Sequence, residues 1–211
     1  MPSDDAVVYG PDIADDSELR LCGDVSGKRV LELGCGDGRN IVRFAQKGAV
    51  AIGVESSEER ISRAWRRAED DGVRVELHHG DLADLAFVRA DSIDLALSVW
   101  ALHTVDDLGR VFRQVHRVLR PNAPLVVSIP HPVYDLLDPD SMESLLIRRP
   151  YFEPGRHTVS GLFSGLANAN FRVDRLLEPE PRPSGARSAE WHDAMRYVPR
   201  TLIVRARKEG I

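Results

Sequence analysis

The stretch Val30-Leu31-Glu32-Leu33-Gly34-Cys35-Gly36-Asp37-Gly38-Arg39-Asn40 constrains this chain more than any other. Val30, Leu31 and Leu33 form a short apolar run, three glycines follow at alternate positions, and Ile41, Phe44 and Ala45 then fall at helical spacing. The order is strand, turn, helix. Glycine is needed in such a turn because a Cβ would block tight turning and hold a ligand off the backbone, while the next helix begins with unpaired N–H groups. A loop of this kind binds something closely.

Spacing narrows what that is. A dinucleotide fingerprint runs G-x-G-x-x-G with the pyrophosphate at the helix N-terminus, but its third glycine position is Arg39 here, and the observed spacing is G-x-G-x-G. Glu32, just before the first glycine, can accept hydrogen bonds from an ammonium group and repels phosphate. On the loop alone, a dinucleotide site and a merely tight turn stay open.

Further along, Val50-Ala51-Ile52-Gly53-Val54 reads as a buried strand ending at Glu55, where α/β nucleotide folds take hold of ribose hydroxyls. Ser56 or Ser57 can cap the next helix, with Ser56 and Glu59 at capping-box spacing, and Ile61, Ala64, Trp65 and Ala68 predict its buried stripe. Val73, Val75 and Leu77 alternate as a third strand leading to His78-His79-Gly80-Asp81-Leu82. An Asp past a strand end can accept from an exocyclic amine while the next backbone N–H donates to a ring nitrogen, a pairing that reads adenine. The adjacent histidines would point to opposite faces of a strand, so no metal site is expected.

Ile93 to Val99 is a continuous, mostly apolar run, the mark of a central parallel strand. Its end, Ser98-Val99-Trp100-Ala101-Leu102-His103, opens on the same edge as the glycine loop, Glu55 and Asp81. Asp106 or Asp107 then caps a helix with Leu108, Val111, Phe112, Val115 and Leu119 on one face, and Asn122 can take the left-handed turn after it. Leu125 to Ile129 is the fifth strand, followed by Pro130-His131-Pro132. Residues 133–158 lose periodicity and gather prolines, which predicts a short loop-rich insertion. Helical spacing returns at Val159, Leu162, Phe163 and Leu166 despite Gly161 and Gly165. Phe171–Leu177 and Thr201–Ala206 read as the last strands, joined by a proline-rich connection too broken for a crossover helix and therefore as an antiparallel hairpin.

With these segments in order, the chain resembles the class I S-adenosylmethionine-dependent methyltransferases of the small-molecule type, whose first motif reads acidic-x-G-x-G-x-G. The resemblance implies a Rossmann-like three-layer α/β/α sandwich on a seven-stranded, mostly parallel sheet with an antiparallel last strand. Residues 25–211 would form that domain, and residues 1–24 a frayed or draped N-terminal arm with Tyr9 as a contact over the cofactor. It implies S-adenosylmethionine as cofactor, held by Glu32, Gly34, Cys35, Gly36, Gly38 and Asn40 at the first turn. Glu55 and Ser56 would hold the ribose, Asp81 and Leu82 the adenine, and backbone at Ser98 and Val99 the methionine part. The family often has an apolar residue against adenine at the position of Arg60, which leaves that contact open. His103 and His131, each after a strand end, are the candidate bases.

The family's nucleic-acid amino-methyltransferases place a Pro-Pro-aromatic signature after the fourth strand, and it is absent here. A net charge of −5 with 28 basic residues spread along the chain likewise disfavours nucleic acid, which needs a concentrated basic surface. The acceptor is therefore expected to be a small molecule. With no long uncharged apolar run, no signal-peptide pattern and only Cys22 and Cys35, a reduced cytoplasmic protein without a membrane partner is expected. Nothing in the residues points to an oligomeric state. The competing readings are a nicotinamide-dependent oxidoreductase and a non-catalytic S-adenosylmethionine-binding protein.

Overall fold

The alternation of side chains along five apolar strands decides the layering, because neighbouring residues must bury on opposite faces of one sheet. The computed structural model describes residues 6–137, 146–152, 155–183 and 187–210, so part of the 133–158 insertion lies outside the described residues. Seven strands, β1 (Arg29–Leu33), β2 (Val50–Glu55), β3 (Glu76–His79), β4 (Leu95–Val99), β5 (Pro124–Pro130), β6 (Phe171–Leu177) and β7 (Thr201–Lys208), form one sheet in the order β3-β2-β1-β4-β5-β7-β6. β7 runs antiparallel to β5 and β6, and the other pairings are parallel.

Helices cover both faces. Leu31, Leu33, Ile52, Val54, Leu125 and Val127 bury against α4 (Leu108–Val118) and α5 (Val159–Asn168). Val30, Ala51, Leu95, Leu97 and Val126 bury on the opposite face with α2 (Arg39–Gln46), α3 (Glu58–Asp70) and the N-terminal residues Val7, Tyr9 and Ile13. Asp107 caps α4 by accepting from the Arg110 N–H at 2.8 Å, and Asn122 adopts φ +63° in the turn beyond it.

Of the two serines open as the cap of α3, Ser57 takes the place, accepting from the Arg60 N–H at 3.3 Å. Two local expectations are corrected. Trp65 is 50% exposed rather than core. α3 lies so close to the glycine turn that a Cβ on Gly38 would sit 2.9 Å from Ala64 Cα, which admits small residues on the inner face and turns the indole out. The third strand starts at Glu76 opposite Ile52, so Val73 and Val75 precede the ladder and pack from its flank.

The arm of residues 6–15 is draped, not frayed. Asn40 exchanges two 3.0 Å hydrogen bonds with the Val8 backbone, and Arg43 Nη1 donates to the Ala6 carbonyl at 2.6 Å. The hydroxyl of Ser128 donates to the Tyr9 carbonyl. A short helix, α1 (Asp16–Leu19), follows. The connection after β6 closes over the arm: Arg182 donates to the Ile13 carbonyl at 3.0 Å and pairs with Asp15 and Glu18, while Ser188 bonds both oxygens of Asp12. Among the described residues, no helix is long and apolar enough to cross a membrane.

Candidate functional site

The turn out of β1 is built from left-handed backbone. Gly34, Gly36 and Gly38 have φ of +71°, +55° and +84°, a region that costs other residues roughly 1–2 kcal/mol each. Space is equally restrictive, since a Cβ on Gly34 would lie 2.1 Å from Ala101 Cβ. The N–H groups of Gly34 and Cys35 both donate to the Val54 carbonyl, at 2.8 and 3.1 Å, which fastens the turn to β2.

Glu55 ends β2 and is nearly buried; its carboxylate accepts from the Gly36 N–H at 2.9 Å and the Ser57 N–H at 3.0 Å. Glu32 lies deeper, with Oε2 lacking a hydrogen-bond partner among the described residues. Burial pushes its carboxyl up to about 8, helped by the nearby charge of Glu55 and opposed by the Asn40 side chain and the Ile41 N–H. A buried acid with one oxygen left without a hydrogen bond favours a cationic neighbour.

Two cavities meet over the glycine turn. One, of about 440 Å³, runs from Glu32, Cys35 and Asn40 to Val99 and to the arm residues Val8, Gly10 and Pro11. The other, of about 520 Å³, is lined by Glu55, Ser56, Asp81, Leu82, Ala101 and His103. Gly34, Arg60 and Trp100 line both, so the two are halves of one cleft. Arg60 extends along the turn, its Nε 3.7 Å from Asp37 Oδ1 and its Nη2 where a Gly36 Cβ would point, at 2.7 Å.

The sequence-selected residues separate into those that line this cleft and those that hold it. Glu32, Gly34, Cys35, Gly36, Asn40, Glu55, Ser56, Asp81, Leu82, Val99 and His103 line it. The Asp81 carboxylate also accepts from the Ala83 N–H at 2.9 Å and faces Arg110 Nη1 at 3.2 Å. Gly38 packs on Ala64, and Ser98 is buried with its hydroxyl donating to the Leu33 carbonyl at 2.9 Å, tying β4 to β1. Tyr9 faces away from the cleft, fully buried, its hydroxyl donating to Asp16 at 2.5 Å; its chain neighbours Val8, Gly10 and Pro11 line the cleft instead.

The two histidines part company. His131 is 3% exposed with both ring nitrogens engaged: Nδ1 accepts from the Val133 N–H at 3.1 Å, so Nε2 carries the proton and donates to Glu178 at 2.8 Å. It has no lone pair left for a substrate. The His103 imidazole is exposed and has no hydrogen-bond partner among the described residues. It lines the Glu55 half of the cleft and also a further cavity of about 390 Å³ walled by Ile129, Pro130, Pro132, Arg149, Tyr151 and Arg156.

Trp100 was not selected from the sequence, yet it is the residue on which the cleft turns. It has φ +52°, the Arg200 guanidinium packs over its ring at 4.8 Å, and its buried Nε1 has no partner among the described residues. Its place directly after an apolar strand was the available signal. Arg149, Tyr151, Arg156 and His157 were also passed over, because the stretch that carries them has no periodicity.

The profile described as a methyltransferase domain matches residues 31–127. Among characterised relatives, the 27-O-demethylrifamycin SV methyltransferase of Amycolatopsis mediterranei is 30% identical over 81% of this chain and 64% of its own length, so the chain spans just under two thirds of that relative. A solved S-adenosylmethionine-dependent methyltransferase from Mesorhizobium loti is 26% identical and superposes with a TM-score of 0.69 over 90% of this chain and 95% of that one. A chain from Listeria monocytogenes, 24% identical, shares the fold with a TM-score of 0.77 over 91% of this chain and 95% of its own.

Proposed function

We propose that the chain is a class I S-adenosylmethionine-dependent methyltransferase, as the domain match and the solved relatives support, and that it methylates a small-molecule acceptor seated beside His103. The observation that carries this reading is that His103 alone, among the described residues, lines both the cleft over the glycine turn and the adjoining 390 Å³ cavity. A reacting group must reach from one chamber to the other, and His103 stands at their junction.

The residues present fit the cofactor. Glu32, with a buried oxygen lacking a partner, suits the methionine ammonium; the glycine turn admits close approach of a ligand; Glu55 suits the ribose hydroxyls; Asp81 with the Leu82 N–H suits adenine. Bound there, S-adenosylmethionine supplies a methyl group already activated on a sulfonium. The protein's remaining work is placement and exclusion of water. Val8, Gly10 and Pro11 of the arm wall one side of the cleft, and Trp100 forms a boundary between its halves. An imidazole nitrogen with a free lone pair can take a proton from the acceptor, the role we assign to His103, and this matters most for a hydroxyl.

Thermal shift with S-adenosylhomocysteine tests the cofactor assignments. At 100 times its dissociation constant a ligand should stabilise the fold by about 2.7 kcal/mol. Wild type should shift and Glu55→Ala, if folded, should not; equal shifts remove Glu55 from the ribose site. Methyl-labelled cofactor incubated with the ultrafiltered small-molecule fraction of a cell extract, and separately with its RNA and protein, tests the acceptor class. Label confined to the macromolecules would overturn the small-molecule reading.

A further inference from the structure

The cavity beyond His103 has its own chemistry. Ile129, Pro130 and Pro132 give it an apolar wall, while its described polar lining brings Arg149, Arg156, His157, His103 and Tyr151 together against a single carboxylate, Asp135. A ratio of two arginines to one carboxylate among the described lining residues runs against a chain with five more acidic than basic residues. Asp135 Oδ2 lies 3.9 Å from Arg156 Nη1. The Arg149 guanidinium has no ion-pair or hydrogen-bond partner among the described residues. His157 is held at the wall by Nε2, which donates to the Val105 carbonyl at 2.8 Å. At about 390 Å³ the space suits a ligand of small-metabolite size.

We infer that this cavity binds an acceptor bearing an anionic oxygen group, a carboxylate or a phosphate, paired with Arg149 while its methyl-receiving atom lies toward His103. The inference rests on the reading of the chain as a small-molecule methyltransferase and narrows its acceptor. Guanidinium groups match such anions with two parallel N–H donors, and the proline and isoleucine wall lowers the surrounding dielectric, which strengthens the pairing.

The test uses the full chain saturated with S-adenosylhomocysteine and titrated with benzoate, benzamide and phenyl phosphate, with affinities read by ligand-observed NMR. At least one anion should bind about tenfold tighter than the neutral amide, a gap of the size one charge-assisted contact supplies. Arg149→Gln should erase that gap without weakening benzamide, and Arg149→Lys should restore part of it. A preference for benzoate assigns a carboxylate, and a preference for phenyl phosphate assigns a phosphate. Benzamide binding as tightly as both anions, no binding of any of the three, or an unchanged gap in Arg149→Gln overturns the inference. If S-adenosylhomocysteine binds in that sample, such a failure leaves the methyltransferase reading standing; if it does not bind, both fall.

Discussion

Glu32 carries the clearest pH signature in the molecule. Below its ordinary value of 4.5 the folded and unfolded chains both hold the proton; from there to about 8 the folded chain keeps a proton that the unfolded chain releases. Stability therefore falls as pH rises across that window, by at most about 1.4 kcal/mol per pH unit, and levels off above it. Glu32→Gln should flatten this slope in urea titrations at stepped pH. An ammonium seated beside Glu32 lowers its pKa, so cofactor binding at pH 7 should release a proton in the wild type and none in the variant, as read from binding heats in buffers of differing ionisation enthalpy. At Gly34 the constraint is steric. Gly34→Ala should melt at a lower temperature than wild type and bind no S-adenosylhomocysteine, because the added carbon must displace Ala101 and Gly34 already has φ +71°. Glu32, Glu55 and the three glycines were legible in the sequence because a strand-turn-helix unit writes its spacing locally. The left-handed backbone of Trp100 was not, since only the packing of Arg200 and Gly10 around the ring defines its place. His131 followed a strand end as His103 did, and only Glu178 and the Val133 N–H, brought in by the fold, remove it from the solvent.

At the scale of elements, the buried strands read well because a strand covered on both faces is apolar at every position. The edges read less well. The fourth strand runs over Leu95–Val99 rather than the expected Ile93–Val99: the Asp94 carboxylate accepts from the Arg29 N–H at 2.9 Å and from Arg120 Nη1 at 2.5 Å, and Ile93 forms an isolated bridge with Leu119. α5 shows the opposite case. Gly165 weakens its intrinsic helix propensity, yet a Cβ there would meet the Phe112 ring at 3.2 Å, so the glycine serves the close approach of α5 to α4. Gly165→Leu should destabilise the fold by about 1–3 kcal/mol in chemical denaturation, the cost of forcing extra carbon into a packed helix contact. The antiparallel hairpin of β6 and β7 was legible from the broken connection between them. The part that this connection plays against the arm was not, because Arg182 and Asp12 lie far apart in the chain and share no periodic pattern.

In the molecule as a whole, the N-terminal arm and the connection between β6 and β7 close one site. Arg182 links the connection after β6 to Ile13, Asp15 and Glu18, and Asn40 and Arg43 at the start of α2 hold the arm from beneath. Arg182→Ala should loosen the arm: hydrogen exchange at residues 7–13 should quicken, and S-adenosylhomocysteine should bind more weakly, while far-ultraviolet circular dichroism stays that of the wild type. Trp100 has a consequence of a different kind. Of the three tryptophans, Trp65 stands half in solvent on α3, Trp191 lies under the Arg187 guanidinium in the loop before β7, and only Trp100 touches both halves of the cleft. The indole is thus an optical probe already installed in the protein: its emission should change in wavelength and intensity as nucleoside fills the cleft, and Trp100→Phe should silence that signal, giving occupancy without any label.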